Sequence, residues 1–135
     1  MKALDTSVLL AILEGEPGSR SLLKRLQGTE VATTEANLLE LAILAARGPE
    51  RDRRARRDAL ARLRHRVTVL PIEARGVDAA AIHLGRTKDC SNPSVLAMLG
   101  TLEAVGCEEL LTLDPPVDYG KWRLKITRIR LNATK

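Results

Sequence analysis

The sequence contains no phenylalanine and only one tyrosine and one tryptophan among its 135 residues. The core must therefore be aliphatic, built mainly from Leu, Ala, Val and Ile, which is typical of helices packed on a small sheet. No apolar stretch approaches the roughly 18 residues of a membrane span, and the N-terminus lacks the apolar segment and cleavage site of a secretory signal. We therefore expect a cytoplasmic protein with no membrane-spanning segment.

Cysteine is also scarce, since Cys90 and Cys107 are the only two in the chain. Their spacing does not match any common metal-ligand pattern, and histidine contributes only two further residues. In the expected compartment the two thiols should be reduced. The sequence therefore predicts neither a zinc site nor a disulfide framework.

The chain has the length and composition of one globular domain, with 44% apolar and 29% charged residues. Strand patterns at residues 3–4, 29–33, 67–72 and 109–113 alternate with helical patterns. This alternation predicts an α/β fold, a three-layer α/β/α sandwich around a mostly parallel sheet of four to five strands. Residues 124–131 alternate apolar and basic side chains and are predicted to form a C-terminal edge strand of the same 1–135 domain.

Acidic residues follow two of the predicted strands. Asp5 comes directly after the first strand, and Asp114 follows the fourth. Residue type alone favours a helix N-cap role for Asp5, because aspartate accepts hydrogen bonds from the first amides of a helix. However, the carboxyl ends of parallel strands meet at one edge of a sheet, where ligands bind. The two aspartates are therefore also candidates for a shared site.

A third acid, Glu40, lies inside the helix that follows the second strand, on one stripe with Asn37. This position is near the edge of the core and not plainly on the outer surface. Three carboxylates without histidine or cysteine favour a hard cation such as Mg²⁺ or Mn²⁺. With a phosphate ester as substrate, such a site can activate water for in-line hydrolysis.

The chain is basic overall, with 22 Lys and Arg against 17 Asp and Glu. Much of the excess lies in residues 50–66, whose apolar positions keep helical spacing, so we predict an amphipathic basic helix. Its basic face is either a solvated surface or a surface that contacts phosphates. Glu50, Arg54 and Asp58 are spaced to form two i,i+4 ion pairs.

Three segments together resemble a known family, the PIN domains, which include the VapC-type toxins of toxin–antitoxin pairs. They are Leu4-Asp5-Thr6-Ser7, residues 37–42 around Glu40, and residues 106–114 ending in Asp114. Their order and spacing extend over nearly the whole chain.

The resemblance implies a Mg²⁺- or Mn²⁺-dependent endoribonuclease that acts on RNA. It implies Asp5, Glu40 and Asp114 as the acids of the metal site. It implies Thr6 or Thr112 as a supporting hydroxyl. A homodimer that is inhibited by an antitoxin protein is also implied. Separately from the resemblance, if the basic face of residues 50–66 contacts phosphates, we expect it to bind RNA through Arg53, Arg54 and Arg57.

The chain departs from the family pattern at Val95. The family usually has a further aspartate there, two residues after a proline and before the Gly-Cys turn, and valine cannot bind a cation. The candidates for a replacement oxygen are Asp89, Asn92 and Asp118, of which Asp89 is the best, although it can equally be a solvated loop acid. An alternative function is therefore a catalytically degenerate module that binds RNA or a protein partner, and a third is a structural domain whose basic face meets an acidic protein.

Overall fold

The computed structural model describes residues 1–84, 92–113 and 122–131. Within these ranges the chain forms five strands: β1 (Lys2–Leu4), β2 (Val31–Thr34), β3 (Thr68–Leu70), β4 (Glu109–Thr112) and β5 (Lys125–Arg128). The strands form one sheet in the order β3-β2-β1-β4-β5, and every neighbouring pair is parallel. The predicted sheet of four to five mostly parallel strands is confirmed, and β5 lies at its edge within the range 124–131.

The described residues also form six helices: α1 (Thr6–Leu13), α2 (Ser19–Arg25), α3 (Glu35–Ala45), α4 (Glu50–Arg66), α5 (Ala74–Leu84) and α6 (Pro93–Ala104). Local chemistry explains several boundaries. Thr34 and Asn92 cap α3 and α6 through side chains that accept from first-turn amides. Gly48 separates α3 from α4 with a φ of 91°, which glycine adopts without strain. None of these helices has both the length and the apolarity needed to cross a membrane.

Two aliphatic clusters cover the two faces of the sheet. Successive residues of a strand point to opposite faces, and Ala3 and Leu4 of β1 accordingly enter different clusters. The Ala3 cluster is completed mainly by α6, through Met98, Leu99 and Leu102. The Leu4 cluster is completed by α1, α2, α3 and α4, through Val8, Leu9, Leu22, Leu26, Leu41 and Leu63. The predicted three-layer α/β/α sandwich is therefore confirmed.

Close packing joins α5 to α6. Gly76 and Gly100 face each other, and a Cβ atom built on Gly100 would overlap the carbonyl oxygen of Gly76. A Cβ on Gly76 would in turn come within 2.9 Å of the Thr101 hydroxyl. Glycine at both positions lets the two helix backbones approach, and α6 brings Val95 and Met98 against the sheet.

Cys107 is buried just before β4 and forms no disulfide. Burial raises the pKa of its thiol above the ordinary value. The expected burial is confirmed for Cys107, while Cys90 lies outside the described residues.

The strand order reverses between β1 and β4, and we call the space beyond the carboxyl ends of these two strands the crevice. From β1 the chain proceeds to β2 on one side, whereas after β3 it crosses to β4 on the other side of β1. In open α/β sheets, ligands bind at such a reversal, beyond the carboxyl ends of the strands. Asp5 lies at this point, and its backbone amide donates to the carbonyl oxygen of Leu111 at 3.2 Å.

Candidate active site

Asp5 is a helix cap with one carboxylate oxygen to spare. It is only 4% exposed and caps α1 through Oδ1, which accepts from the Val8 amide at 3.2 Å and from the Ser7 hydroxyl at 2.5 Å. Within the described residues, Oδ2 accepts no hydrogen bond and Asp5 forms no ion pair. The predicted N-cap is confirmed, and it leaves the second oxygen open to a ligand.

Ser7 connects Asp5 to the end of β4. Its Oγ accepts from the backbone amide of Leu113 at 2.9 Å and lies 3.4 Å from the Thr112 hydroxyl, in addition to its bond to Asp5. Thr112 thus lies at the crevice, as its proposed supporting role requires. Sequence reasoning missed Ser7, although the Asp-Thr-Ser order at a helix start was a signal that its hydroxyl could reach the capping carboxylate.

Thr6 faces a different partner. Its Oγ1 accepts from Nδ2 of Asn37 at 3.1 Å, and Asn37 is 4% exposed. The Asn37 amide is fixed further, because its Oδ1 accepts from the Thr34 hydroxyl at 2.7 Å and its Nδ2 lies 3.2 Å from Sδ of Met98. The Thr6 hydroxyl therefore supports α3 and not the Asp5 carboxylate directly. This hydrogen bond holds the first turn of α3 against the first turn of α1.

Glu40 lies three residues beyond Asn37 on α3, which places it on the same side of that helix. It is half-buried and makes no hydrogen bond or ion pair with the rest of the described chain. Glu40 therefore remains a predicted metal ligand, with no cationic partner among the described residues.

The remaining candidate acids, Asp114, Asp89 and Asp118, lie outside the described residues. Leu113 immediately precedes Asp114, and its amide is held by Ser7. Within residues 1–84, 92–113 and 122–131, no group of three acidic, histidine or cysteine side chains is close enough to hold a metal. The joint site of Asp5, Glu40 and Asp114 therefore stays a prediction.

Val95 and Asn92 have structural roles of their own. Val95 is half-buried and packs against the cluster of Met98, Leu99 and Leu102. Asn92 is exposed, and its Oδ1 accepts from the Ser94 amide at 3.0 Å as the cap of α6. Val95, where the resemblance led us to expect an acid, is thus used for apolar packing.

The basic helix α4 is anchored by Arg56, away from Asp5. Its Nε is 3.0 Å from Oε1 of Glu14, and its Nη1 donates to the carbonyl oxygen of Arg47 at 2.8 Å. These two partners lie just beyond the C-terminal ends of α1 and α3, whereas Asp5 caps the opposite end of α1. Eight residues of helix separate the ends by about 12 Å. One of the basic residues is therefore structural, a role that charge patterning did not distinguish.

The predicted RNA contacts Arg53, Arg54 and Arg57 are all exposed on this remote helix. Arg53 and Arg57 border a shallow cleft against α3. The predicted i,i+4 partners of Arg54 form no ion pair with it in the described structure, so the expectation of two stabilising pairs was wrong. Exposed pairs gain little after the entropy of holding two long side chains. The structure does not bring these arginines together with Asp5.

Family comparison agrees with this architecture. The PIN domain model matches residues 2–98 of the chain. The chain therefore belongs to the PIN domain family, and the resemblance noted in the sequence is confirmed. A search among curated protein sequences found no match.

Several solved structures share the fold. The VapBC2 complex from Rickettsia felis, bound to a promoter DNA fragment, aligns with a TM-score of 0.80 at 14% identity, covering 96% of this chain and 98% of that one. VapBC-5 from Mycobacterium tuberculosis aligns with a TM-score of 0.70 at 23% identity, covering 95% and 98%. VapC20 from the same organism, a Sarcin-Ricin loop cleaving toxin, aligns at 0.61 and 23% identity, covering 82% and 87%. At these identities the likeness establishes the fold.

Proposed function

We propose that this PIN domain is a Mg²⁺- or Mn²⁺-dependent endoribonuclease of the VapC toxin type. The observation that carries the proposal is Asp5, a buried carboxylate at the crevice between β1 and β4 with one oxygen unpaired and no cationic side chain of the described chain beside it. Family membership and the VapC-like fold also support this proposal.

The donor set fits a hard divalent cation. Asp5 and Glu40 offer carboxylate oxygens, and Asp114 is the proposed third acid, directly after Leu113 in the sequence. Oxygen ligands without histidine or thiolate suit Mg²⁺ and Mn²⁺. When bound, such a cation supplies an activated water and stabilises negative charge on a phosphodiester. The protein's own part is to orient Asp5 through Val8 and Ser7 and to hold α3 through Asn37.

The proposal is tested with the purified chain, an RNA substrate and either cation. We expect metal-dependent cleavage by the wild type and its loss in Asp5→Asn, because asparagine keeps the cap but removes the charge. A far-UV circular dichroism spectrum shared by both proteins shows that the variant is folded. Equal cleavage by the two proteins, or no cleavage by either, would contradict the proposal.

The packing of Val95 favours one alternative, a PIN module that binds RNA or a protein partner without cleaving RNA. For RNA, it requires binding that weakens with salt and that survives Asp5→Asn. Cleavage that depends on Asp5 excludes it.

For RNA binding we retain Arg53, Arg54 and Arg57 as proposed phosphate contacts. Because α4 is anchored away from Asp5, they would contact phosphates some distance along the strand from the scissile bond. Removing Arg54 and Arg57 together should reduce the salt dependence of RNA affinity, by about 0.7 in the logarithmic slope for each phosphate that is no longer neutralised. Replacing Lys24 and Arg25 with glutamine removes two exposed charges on α2 instead and is the matched comparison.

An antitoxin is the proposed protein partner. A groove of about 770 Å³ between α1, α2 and α4 has an apolar floor and a basic rim, formed in part by Leu13, Leu23, Leu26, Arg20, Arg62 and Arg66. This pattern fits an acidic amphipathic helix, and several of the similar folds come from toxin–antitoxin complexes. Expression of the chain alone should arrest bacterial growth. A gene whose co-expression restores growth should fail to do so against Leu23→Glu.

A homodimer is proposed through the exposed apolar side chains of α3 and α5. Leu39 and Ile43 are 63% and 49% exposed on one face of α3, and Val77 and Ile82 are exposed on α5. Ile72 adjoins them, since its amide donates to Glu35 in the first turn of α3 at 3.2 Å. Light scattering should give a dimer mass for the wild type and a monomer mass for Leu39→Glu.

A further inference from the structure

Ser7 is the one side chain among the described residues that bonds both to the Asp5 carboxylate and to the end of β4. It lies at the second position of α1, and its partner Leu113 is 106 residues away in sequence. The Thr112 hydroxyl is 3.4 Å from the same oxygen. The Ser7 hydroxyl therefore connects Asp5 to the end of β4, two parts of the proposed site that are distant in sequence and adjacent only in the fold.

The direction of these hydrogen bonds is fixed by chemistry. A backbone amide can only donate, so the Ser7 oxygen accepts from Leu113. The Ser7 proton is then available to Asp5, whose ionised carboxylate can only accept, and the 2.5 Å separation is typical of a hydroxyl bonded to a carboxylate. Together with the Val8 amide, this bond occupies Oδ1 and sets the rotation of the carboxylate. Oδ2 is left as the oxygen without a partner among the described residues.

We propose that Ser7 is a positioning residue for the metal site. Its hydroxyl orients Asp5 so that Oδ2 faces the crevice, and it holds the Leu113 amide, just after β4, beside Asp5. The proposal rests on the proposed metal-dependent function and adds a residue to it. Residues that hydrogen-bond to a metal ligand in this way typically change metal affinity by about tenfold to a hundredfold.

The experiment measures Mn²⁺ affinity by electron paramagnetic resonance of the free ion, and stability by urea unfolding in EDTA. Ser7→Ala removes the hydroxyl, and Ser7→Thr keeps it. Thr127→Val is the matched control, because the Thr127 hydroxyl also donates to a carboxylate, that of Glu109 at 2.6 Å, at the opposite end of the sheet. We expect Ser7→Ala to raise the Kd for Mn²⁺ about tenfold. Ser7→Thr and Thr127→Val should both remain near the wild-type Kd.

A purely structural role for Ser7 would lower stability in Ser7→Ala and leave the Kd for Mn²⁺ unchanged, as in Thr127→Val. That result overturns the positioning role while the proposed function stands, provided that the wild type binds Mn²⁺ and cleaves RNA. Ser7→Thr binding Mn²⁺ as weakly as Ser7→Ala also overturns it, since the hydroxyl would then not be the feature that matters. A wild type that neither binds Mn²⁺ nor cleaves RNA overturns the proposed function and this inference together.

Discussion

The two ends of the central sheet carry carboxylates in contrasting surroundings. At the amino end, Glu109 of β4 accepts from the Thr127 hydroxyl at 2.6 Å and lies 3.5 Å and 3.8 Å from the ammonium groups of Lys2 and Lys125. At the carboxyl end, Asp5 also accepts from a hydroxyl, that of Ser7, but has no cationic side chain within ion-pair distance in the described chain. Both carboxylates thus accept from a hydroxyl, but only Glu109 also has cationic side chains beside it in the described chain.

The difference indicates what each carboxylate is for. Glu109 joins three adjacent strands, because Lys2, Glu109 and Lys125 are register partners across β1, β4 and β5. Its charge is balanced by the protein itself, which is typical of a structural group. Asp5 is more deeply buried, and among the described residues its carboxylate accepts only from the Val8 amide at the start of α1 and from the Ser7 hydroxyl. The oxygen that remains is the one that we propose as a ligand of the divalent cation.

The largest expected effect is the stabilisation by Mn²⁺, which should be lost when the Asp5 charge is removed and kept when the Glu109 charge is removed. At Mn²⁺ concentrations about a hundredfold above Kd, the wild type should be stabilised by about 2.7 kcal/mol. Glu109→Gln should show the same gain, whereas Asp5→Asn should show little or none. Differential scanning fluorimetry with and without Mn²⁺ measures the shift in Tm. If Mn²⁺ raised the Tm of Asp5→Asn as much as that of the wild type, the contrast drawn between Asp5 and Glu109 would be contradicted.

Val95 tests how far the carboxyl end departs from a fully acidic site. Because Val95 packs against the cluster of Met98, Leu99 and Leu102, Val95→Asp should lower metal-free stability by about 2 kcal/mol. If the new carboxylate joins the site, Mn²⁺ should restore more stability to this variant than it adds to the wild type. Val95→Thr, which puts a polar group of similar size there without charge, is the control. A larger Mn²⁺ gain in Val95→Thr would show that charge is not responsible.

In the absence of metal, the free energies of unfolding of the variants that lack the Glu109 charge and the Asp5 charge should differ by about 1 kcal/mol. Glu109→Gln loses a charged hydrogen bond and two ion pairs with partly exposed lysines, so we expect a loss of about 1 kcal/mol in the free energy of unfolding. Asp5→Asn should change stability by less than about 0.5 kcal/mol, since asparagine is as good a cap as aspartate. Urea unfolding in EDTA measures both values. A loss in Asp5→Asn as large as in Glu109→Gln would make Asp5 a structural residue as well.

Features set by neighbouring residues were predictable from the sequence. Asp5, Thr34 and Asn92 each precede a helical pattern and act as its cap, because capping requires only a side-chain oxygen and the next few amides. The alternation of strands and helices likewise predicted the layered fold. At Asp5, the cap role and the proposed ligand role are compatible, because the cap uses only one of the two carboxylate oxygens.

Features that depend on distant contacts were not predictable in this way. The bond from Leu113 to Ser7 and the bond from Asn37 to Thr6 join residues 106 and 31 positions apart. Charge spacing also failed to distinguish Arg56, which bonds to Glu14 and Arg47, from its exposed neighbours. Helical periodicity assigns a residue to a face, but the partner across that face is set by how the helices pack.

The smallest expected effect concerns acid stability at the amino end. The hydrogen bond from Thr127 and the nearby Lys2 lower the pKa of Glu109 below its ordinary value of 4.5. The folded state therefore binds the proton of this carboxyl less readily than the unfolded state, so Glu109 stabilises the fold above pH 4.5, and this stabilisation is lost as the pH falls through the lowered pKa. In Thr127→Val the pKa should move back toward 4.5, and the decrease in unfolding free energy between about pH 6 and pH 3 should be smaller than in the wild type, by less than about 1 kcal/mol. Urea unfolding across this pH range checks it, with Ser7→Ala as the comparison at the other end. An unchanged pH dependence in Thr127→Val would mean that Lys2 and Lys125 alone set the behaviour of Glu109.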